Sequence, residues 1–395
     1  MSLRQLMRVI GKLGATASAF SQARLQVRYL QNDLIASQRK GKSMFQNVKL
    51  SEKSKLELHW WIENIKMQNG RPMTLREPEM IIYSDAASSW GWGAECQGQK
   101  TGGQWKKEEV DLHINILELL AAKFALKSFL SLRTVKSVHL MMDNTAAMRN
   151  IINMGGTACP LMTEITKEIY AFLTSKGITI TLEYIPSALN KDADEWSRKS
   201  KDSSEWKLHA PYFQKVCQTW GQPEIDLFAS RLCHQIPKYF SWRADPESMG
   251  TDALQQDWRF RFLYAFPPFS LIGRCIRKVA LQRTKMILIT PVWTSQSWYP
   301  NLLEMSVSQP IILPGSKHLL LDPKGQAHPL VRDGNLRVAA WLISGKIQEQ
   351  LAFQKQLPDS WSPEEAKEPE AFTRPTGPNS VAGVVNGKLI QFRAL

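Results

Sequence analysis

The chain has 395 residues, enough for two domains or for one domain with additions. No apolar run approaches the roughly 20 residues that a membrane span needs, and Met1-Ser2-Leu3-Arg4 leads into no apolar stretch of the kind a secretory signal carries. The five cysteines (96, 159, 217, 233 and 275) are scattered without a CxxC pair, which argues against a disulfide framework or a structural zinc site and for a reducing compartment inside the cell, nucleus or cytoplasm. The formal net charge is +14, and residues 1–55 hold eleven Lys and Arg against Asp33 and Glu52, a net of +9. Such a balance favours a polyanion partner, most often nucleic acid, the alternative being a solvated helix surface.

Residues 3–31 have the pattern of one or two basic amphipathic helices, with Gly11 and Gly14 as a possible break. Residues 36–50 are polar and read as a linker. A further helix is expected over 51–67, with Ser51 as its N-cap and Leu56 and Trp60 as a pair on its apolar face; Asn69-Gly70-Arg71-Pro72 closes it. Residues 1–75 are thus expected to form a basic helical connecting segment.

From residue 79 the pattern changes. Three short strands at 79–85, 90–96 and 101–107 form a meander, followed by helix 114–131, strand 136–142, helices 143–154 and 161–175, strand 179–185 and helix 190–199. This is a mixed sheet with covering helices, an α/β domain over 76–200. A second, smaller α/β domain is expected over 201–350: helix 205–220, strands at 224–228 and 262–266, the latter broken by Pro267-Pro268, then helix 271–283 and strand 286–290, a parallel crossover. Residues 351–395, rich in Pro and Glu from about 356, are expected to be a disordered tail.

Four acids stand out against this background. Asp85 ends the run Met80-Ile81-Ile82-Tyr83-Ser84, and Asp143 ends Val138-His139-Leu140-Met141-Met142. Glu118 lies within Ile116-Leu117-Glu118-Leu119-Leu120, and Asp194 within Asn190-Lys191-Asp192-Ala193-Asp194-Glu195. Isolated charges in apolar surroundings cost several kcal/mol unless something pairs with them, and a pair of divalent cations, Mg²⁺ or Mn²⁺, would satisfy all four at once. Positions 121, 122 and 125 are alanines, so the helix face that carries Glu118 can approach the sheet closely. Three of the acids also have a plainer reading: Asp143 as a helix N-cap, Asp85 as a turn residue, Asp194 as part of a solvated face beside Asp192 and Glu195; Glu118, amid Leu and Ala on a buried helix, needs a partner.

The segments Tyr83-Ser84-Asp85-Ala86, Asn115-Ile116-Leu117-Glu118-Leu119, Met142-Asp143-Asn144 and Asn190 through Ala193-Asp194 to Ser197-Arg198 resemble the ribonuclease H domain of reverse transcriptases, most closely that of DIRS-like tyrosine-recombinase retrotransposons. The basic stretch 1–67 with Trp60-Trp61 looks like the segment that joins polymerase to ribonuclease H there. Asp226-Leu227-Phe228-Ala229-Ser230 and Tyr264-Ala265-Phe266-Pro267-Pro268-Phe269 look like the region that follows it, which is similar to DNA adenine methyltransferases. The resemblance covers roughly residues 1–345. It implies hydrolysis of the RNA strand of RNA–DNA hybrids, with Asp85, Glu118, Asp143 and Asp194 as catalytic, metal-binding residues; the alternative is a catalytically idle nucleic-acid-binding remnant. Two departures follow from it. Many ribonucleases H carry a histidine ten residues before the last Asp, and Tyr184 stands there. In the methyltransferase-like region Phe266 occupies the polar position and Phe269 the aromatic one, so an acceptor for a target amine is missing and a packed turn is the plainer reading. No Tyr-x-Asp-Asp polymerase signature is present, so polymerase activity is not expected, and the chain looks like a truncated or host-retained piece of such an element.

Overall fold

The computed structural model describes residues 1–20, 22–66, 70, 76–156, 159–198, 205–259, 261–360 and 380–395. The chain divides into two compact units, Met1–Ser200 and Lys201–Leu395. Among the described residues no helix is long and apolar enough to cross a membrane.

The first unit begins with α1 (Leu3–Ala15), α2 (Arg28–Arg39) and α3 (Glu52–Asn64). Ser2 and Gln5 form a reciprocal cap on α1, and Ser51 caps α3 by accepting from the Ser54 amide, as expected. The buried face of α3 differs from the expectation. Leu56 is 67% exposed, whereas Glu57 and Trp61 are buried. A carboxylate can occupy this face because its oxygens are fully used: Glu57 accepts from the Tyr29 and Leu30 amides at the start of α2, both at 3.0 Å, and pairs with Lys167. The basic segment is therefore not a free appendage; Glu57–Lys167 ties it to the rest of its unit.

The strands β1 (Met80–Ala87), β2 (Gly91–Cys96) and β3 (Gln99–Gln104) form the expected meander. After α4 (Lys107–Val110) come α5 (Ile114–Leu130), β4 (Ser137–Met142), α6 (Thr145–Ile152), α7 (Pro160–Ser175), β5 (Thr179–Tyr184) and α8 (Lys191–Arg198). The five strands lie in the order β3-β2-β1-β4-β5. The meander is antiparallel, and β4 and β5 add parallel to β1. The small face of α5 does what its composition suggests: Ala121, Ala122 and Ala125 are wholly buried, and α5 packs on β1 and β2 while α8 packs on β1, β2 and β3.

The second unit contains β6 (Lys207–Leu208), α9 (Ala210–Trp220), β7 (Ile225–Asp226), β8 (Phe240–Ser241), β9 (Gly250–Thr251), β10 (Phe262–Ala265), α10 (Ile272–Gln282) and β11 (Lys285–Pro291). Then follow α11 (Tyr299–Glu304), β12 (Ile311–Ile312), β13 (Leu320–Leu321), α12 (Pro329–Arg332), β14 (Val338–Ser344) and α13 (Ile347–Gln354). The unit ends in β15 (Val381–Val385), β16 (Lys388–Gln391) and β17 (Arg393–Ala394). Its main sheet runs β17-β12-β14-β11-β10-β7. β7, β10 and β11 are parallel, so the expected crossover is present, and β14 is antiparallel to both its neighbours.

The last residues correct the expectation of a disordered tail. β15 and β16 form a hairpin through Asn386 and Gly387, both at positive φ, and β17 pairs with β12 at the edge of the main sheet. The apolar residues of this segment explain the order: Ala382, Ile390 and Phe392 are buried in the core with Trp341 and Leu303. The Pro- and Glu-rich stretch 361–379 lies outside the described residues.

Candidate active site

Asp85, Glu118 and Asp143 arrive at one place from three elements. Asp85 lies within β1, paired in register with Gly93, so it is a strand residue and not a turn residue. Glu118 comes from the second turn of α5. Asp143 follows the last residue of β4, beside β1. The N-cap of α6 is Asn144, whose side chain accepts from the Ala147 amide at 2.9 Å, so capping does not consume Asp143. One carboxylate oxygen from each of the three acids lies within 4.8 Å of the others.

The electrostatics of this cluster are unfavourable without a counter-charge. Asp85 and Glu118 are each 5% exposed, and Oδ2 of the first and Oε2 of the second have no hydrogen-bond partner. Burial pushes the Glu118 carboxyl up to about 9, with repulsion from Asp85 and Asp143 adding to it. Burial likewise raises Asp85 to about 6, with Asp143 and Asp194 contributing. Buried polar atoms are rarely left unpaired, and three acids sharing one site require a cation or protons. The donor set is all oxygen, as hard divalent cations such as magnesium prefer.

Asp194 stands slightly apart. It projects from the first turn of α8, raises the Asp85 carboxyl through space, and is held by Arg198, with Nε and Nη2 donating to Oδ1 at 2.8 and 2.7 Å. Its side chain is 40% exposed. The structure thus brings three of the four expected acids into one cluster and places the fourth at its border. Tyr184, at the end of β5, pairs with Met142, the residue before Asp143, and is 45% exposed.

Several further residues position the acids; Asn115, Asn144 and Asn190 lie in the segments that carry the resemblance, whereas Ser187 and Gly93 lie outside them. Ser187 donates to Asp143 Oδ2. Asn144 donates to Asn115 Oδ1 at 3.1 Å, joining the start of α6 to the start of α5. Asn190 donates to the Ser84 carbonyl at 3.0 Å, which fixes the start of α8 against β1 next to Asp85. Gly93 is the least visible of them: a Cβ there would lie 2.1 Å from the Ala193 carbonyl oxygen and 2.3 Å from the Ser197 amide. The absent side chain lets α8, and with it Asp194, sit directly on the sheet.

No family model matches the chain, and no curated protein matches it. Among solved structures, it is similar to LC11-RNase H1 in complex with an RNA/DNA hybrid, at 19% identity and a TM-score of 0.26 over 30% of this chain and 93% of that one. RNase H1 from the halophilic archaeon Halobacterium salinarum aligns at 15% identity and a TM-score of 0.25, over 30% of this chain and 92% of that one. The prototype foamy virus protease-reverse transcriptase aligns at 17% identity and a TM-score of 0.22, over 47% of this chain but only 25% of the viral protein.

In the second unit Asp226 is wholly buried at the end of β7, accepts from the Gln235 amide at 2.9 Å and the Phe228 amide at 3.4 Å, and is raised to about 7 by burial. Phe269 packs edge-on against Trp293 with ring centroids 5.1 Å apart, and Phe266 packs against the same core. The aromatic pair is part of a packed turn after β10.

Proposed function

We infer that the Met1–Ser200 unit is a ribonuclease H-like, metal-dependent nuclease that hydrolyses the RNA strand of RNA–DNA hybrids. The observation that carries this reading is the convergence of Asp85, Glu118 and Asp143, two of them buried with unpaired oxygens. These three would hold one divalent cation, with Asp194 completing the set for a second. Such ions compensate charge at the scissile phosphodiester and lower the pKa of the attacking water. The protein's own part is to lose protons and to hold geometry. Glu118, raised to about 9, and Asp85, raised to about 6, would have to give up their protons to hold a cation, so apparent affinity would rise with pH. Ser187 orients Asp143, and Asn190 and Gly93 set the depth of α8. Arg198 neutralises Asp194 until a cation competes for it.

The test is cleavage of a labelled RNA–DNA hybrid by the purified protein in Mg²⁺, beside an Asp143→Asn control. Magnesium-dependent cuts in the RNA strand that the control lacks uphold the reading; no cutting by a protein that binds the hybrid leaves the alternative, an idle nucleic-acid-binding remnant.

Tyr184 is the observation that favours that alternative. A phenol is a poor proton carrier near pH 7, and it stands where many ribonucleases H have a histidine. Tyr184→His is expected to raise turnover on a hybrid by up to about 10²-fold, the low end of general acid–base help, because the position is half open to solvent. Initial-rate measurements at saturating substrate check this; an unchanged rate would mean that the residue takes no part in proton movement.

For the second unit we propose a methyltransferase-like fold that has lost transfer chemistry. Its parallel β7, β10 and β11 and the Pro267-Pro268 step that leaves β10 support the resemblance. The engaged Asp226 and the packed Phe266 and Phe269 leave no acceptor for an amine.

A further inference from the structure

β5 lies at one end of its sheet, and among the described residues β4 is its only strand partner. The Thr179 amide donates to the Lys136 carbonyl and the Ile185 amide to the Met142 carbonyl. Odd-numbered positions therefore turn their backbone groups toward β4, and the amides and carbonyls of Ile180, Leu182 and Tyr184 point to the open side. We propose that this edge pairs antiparallel with the same edge of a second copy of the chain, about a two-fold axis at Leu182. Neither metal nor nucleic acid is needed for it.

The edge is unguarded. Natural sheets blunt exposed edges with Lys, Pro or a bulge. β5, Thr-Ile-Thr-Leu-Glu-Tyr, has none of these, and its six residues pair with β4 in one unbroken register. Its β-branched and aromatic content suits a strand. Its one charge is drawn inward, since Glu183 Oε2 lies 3.1 Å from Nε2 of His139 on β4. The opposite edge contrasts with it: β3 carries Lys100, Gly102 and Gly103 and lies against α8, to which Lys100 is tied through Asp192.

The edge is also complementary to itself. With the axis at Leu182, that residue stands opposite the partner's Leu182, Ile180 opposite the partner's Tyr184, and Thr181 opposite the partner's Glu183. Each even-numbered pair exchanges both of its backbone hydrogen bonds. The side chains match as a leucine pair, an aromatic–β-branched pair and a threonine–carboxylate pair. The neighbouring registers are worse. An axis at Glu183 sets two carboxylates face to face. An axis at Thr181 sets Tyr184 opposite the partner's Ile178, while the Ile178 amide is already donated to the Leu173 carbonyl.

Burial points the same way. Val138, Leu140 and Met142 of β4 are buried, whereas Ile180 and Leu182 beside them are half-buried and Tyr184 is 45% exposed. Pairing continues this apolar row across the axis and covers all three. A phenol, which is a poor proton carrier near pH 7, is a good cross-strand neighbour for isoleucine.

The test uses the full chain in EDTA. Sedimentation velocity over a concentration series is expected to show a monomer–dimer equilibrium, and hydrogen exchange over 179–185 in the unmodified protein to slow as dimer forms. Leu182→Lys and Leu182→Glu are each expected to weaken the dimer about tenfold or more, because like charges then meet on the axis. An equimolar mixture of the two variants is expected to restore it. Melting temperatures at the dilute end of the series check that both variants fold; if either does not, exchange in the unmodified protein decides alone. Dimer that persists in both folded variants, dimer without slowed exchange over 179–185, or a mixture that recovers no dimer would each overturn the two-fold pairing. So would a chain that stays monomeric throughout the series, which would leave the edge to a strand of another protein.

Discussion

Glu118→Gln is expected to cut Mg²⁺-dependent cleavage of a hybrid by about 10²–10³-fold or more, and at the same time to make the metal-free protein more stable at alkaline pH. The two effects share one cause. Glu118 is buried beside Asp85 and Asp143, and its carboxyl is raised to about 9. For an acid whose folded pKa lies above the unfolded one, the favourable contribution is present at pH below the unfolded value, near 4.5, and is lost as pH rises through the folded value. In EDTA the unmodified protein should therefore lose stability steadily between pH 5 and 9. Asp85, at about 6, and Asp226, at about 7, share the lower part of that window, and the buried Cys96, Cys217, Cys233 and Cys275, all raised by burial, add to the fall above about pH 8.5, so the fall between pH 7.5 and 8.5 belongs mainly to Glu118. Glutamine keeps the shape, carries no charge and can donate to the neighbouring carboxylates, which removes the repulsion. It also removes a ligand, and the loss of one preorganised charged group from such a site costs at least about 10²–10³ in rate. Thermal melting in EDTA and in Mg²⁺ at several pH values checks both halves. A melting temperature that ignores Mg²⁺ at pH 8 in the unmodified protein would remove the metal site; a variant no more stable than its parent at pH 9 would remove the account of the repulsion.

How far the site could be read in advance follows from the kind of signal each residue leaves. Asp85 and Asp143 end apolar runs and Glu118 interrupts one, so each is conspicuous against its own neighbours. The plainer alternatives were settled only by geometry: register pairing places Asp85 inside β1, and Asn144 caps α6 in place of Asp143. Glu57 left no such mark. It sits in a helix that carries charges of both signs, and its burial depends on amides 27 and 28 residues away and on Lys167, 110 residues away. Local periodicity favours Leu56 and Trp60; the fold packs Trp60 beside Phe20 and Trp61 but exposes Leu56 and buries Glu57 instead. The hairpin at the end of the chain had a local signal of another kind. Asn386-Gly387 between two apolar stretches is the strongest short-range mark of a two-residue turn, since both residues tolerate positive φ. The expectation of a disordered tail rests on the Pro- and Glu-rich composition just before it, but composition describes a window and a hairpin needs only about ten residues.

The connecting segment shows the same lesson in energetic terms. A segment carrying net +9 invites deletion as a test of nucleic-acid binding. Its helices, however, cover Lys167 and bury Leu3, Leu6, Leu30 and Trp61. Removing residues 1–55 would leave the Glu57–Lys167 pair without the amides that satisfy it, and removing one side of a buried ionic contact is strongly destabilising. Truncation therefore does not separate binding from folding.

Gly93→Ala tests the part of the site that no acidic residue announces. The added methyl would stand 2.1 Å from the Ala193 carbonyl oxygen, 2.3 Å from the Ser197 amide and 2.8 Å from the Trp196 carbonyl carbon. All three atoms are backbone of α8, so no side-chain rotation relieves the clash and the helix must lift from the sheet. Ala193 and Ser197, buried at 0% and 2% exposure, lose their contacts, and the Asn190 bond to the Ser84 carbonyl lengthens. Overpacking of this kind costs about 1–3 kcal/mol, which in a unit of this size lowers the melting temperature by several degrees. Cleavage should fall further than stability does, because Asp194 rides on α8 and Ser197 of α8 hydrogen-bonds Asp85, while the backbones that carry Asp85, Glu118 and Asp143 belong to β1, α5 and β4. The variant is therefore expected to retain a thermal shift with Mg²⁺ and to lose most hybrid cleavage, separating the three-acid cluster from the fourth acid. Gly11→Ala, in α1 with nothing within 4 Å of the added Cβ, is the control and should be neutral or stabilising by up to about 1 kcal/mol. If Gly93→Ala melts and cuts like the parent, α8 is not seated by that contact and Asp194 has no fixed place in the reaction.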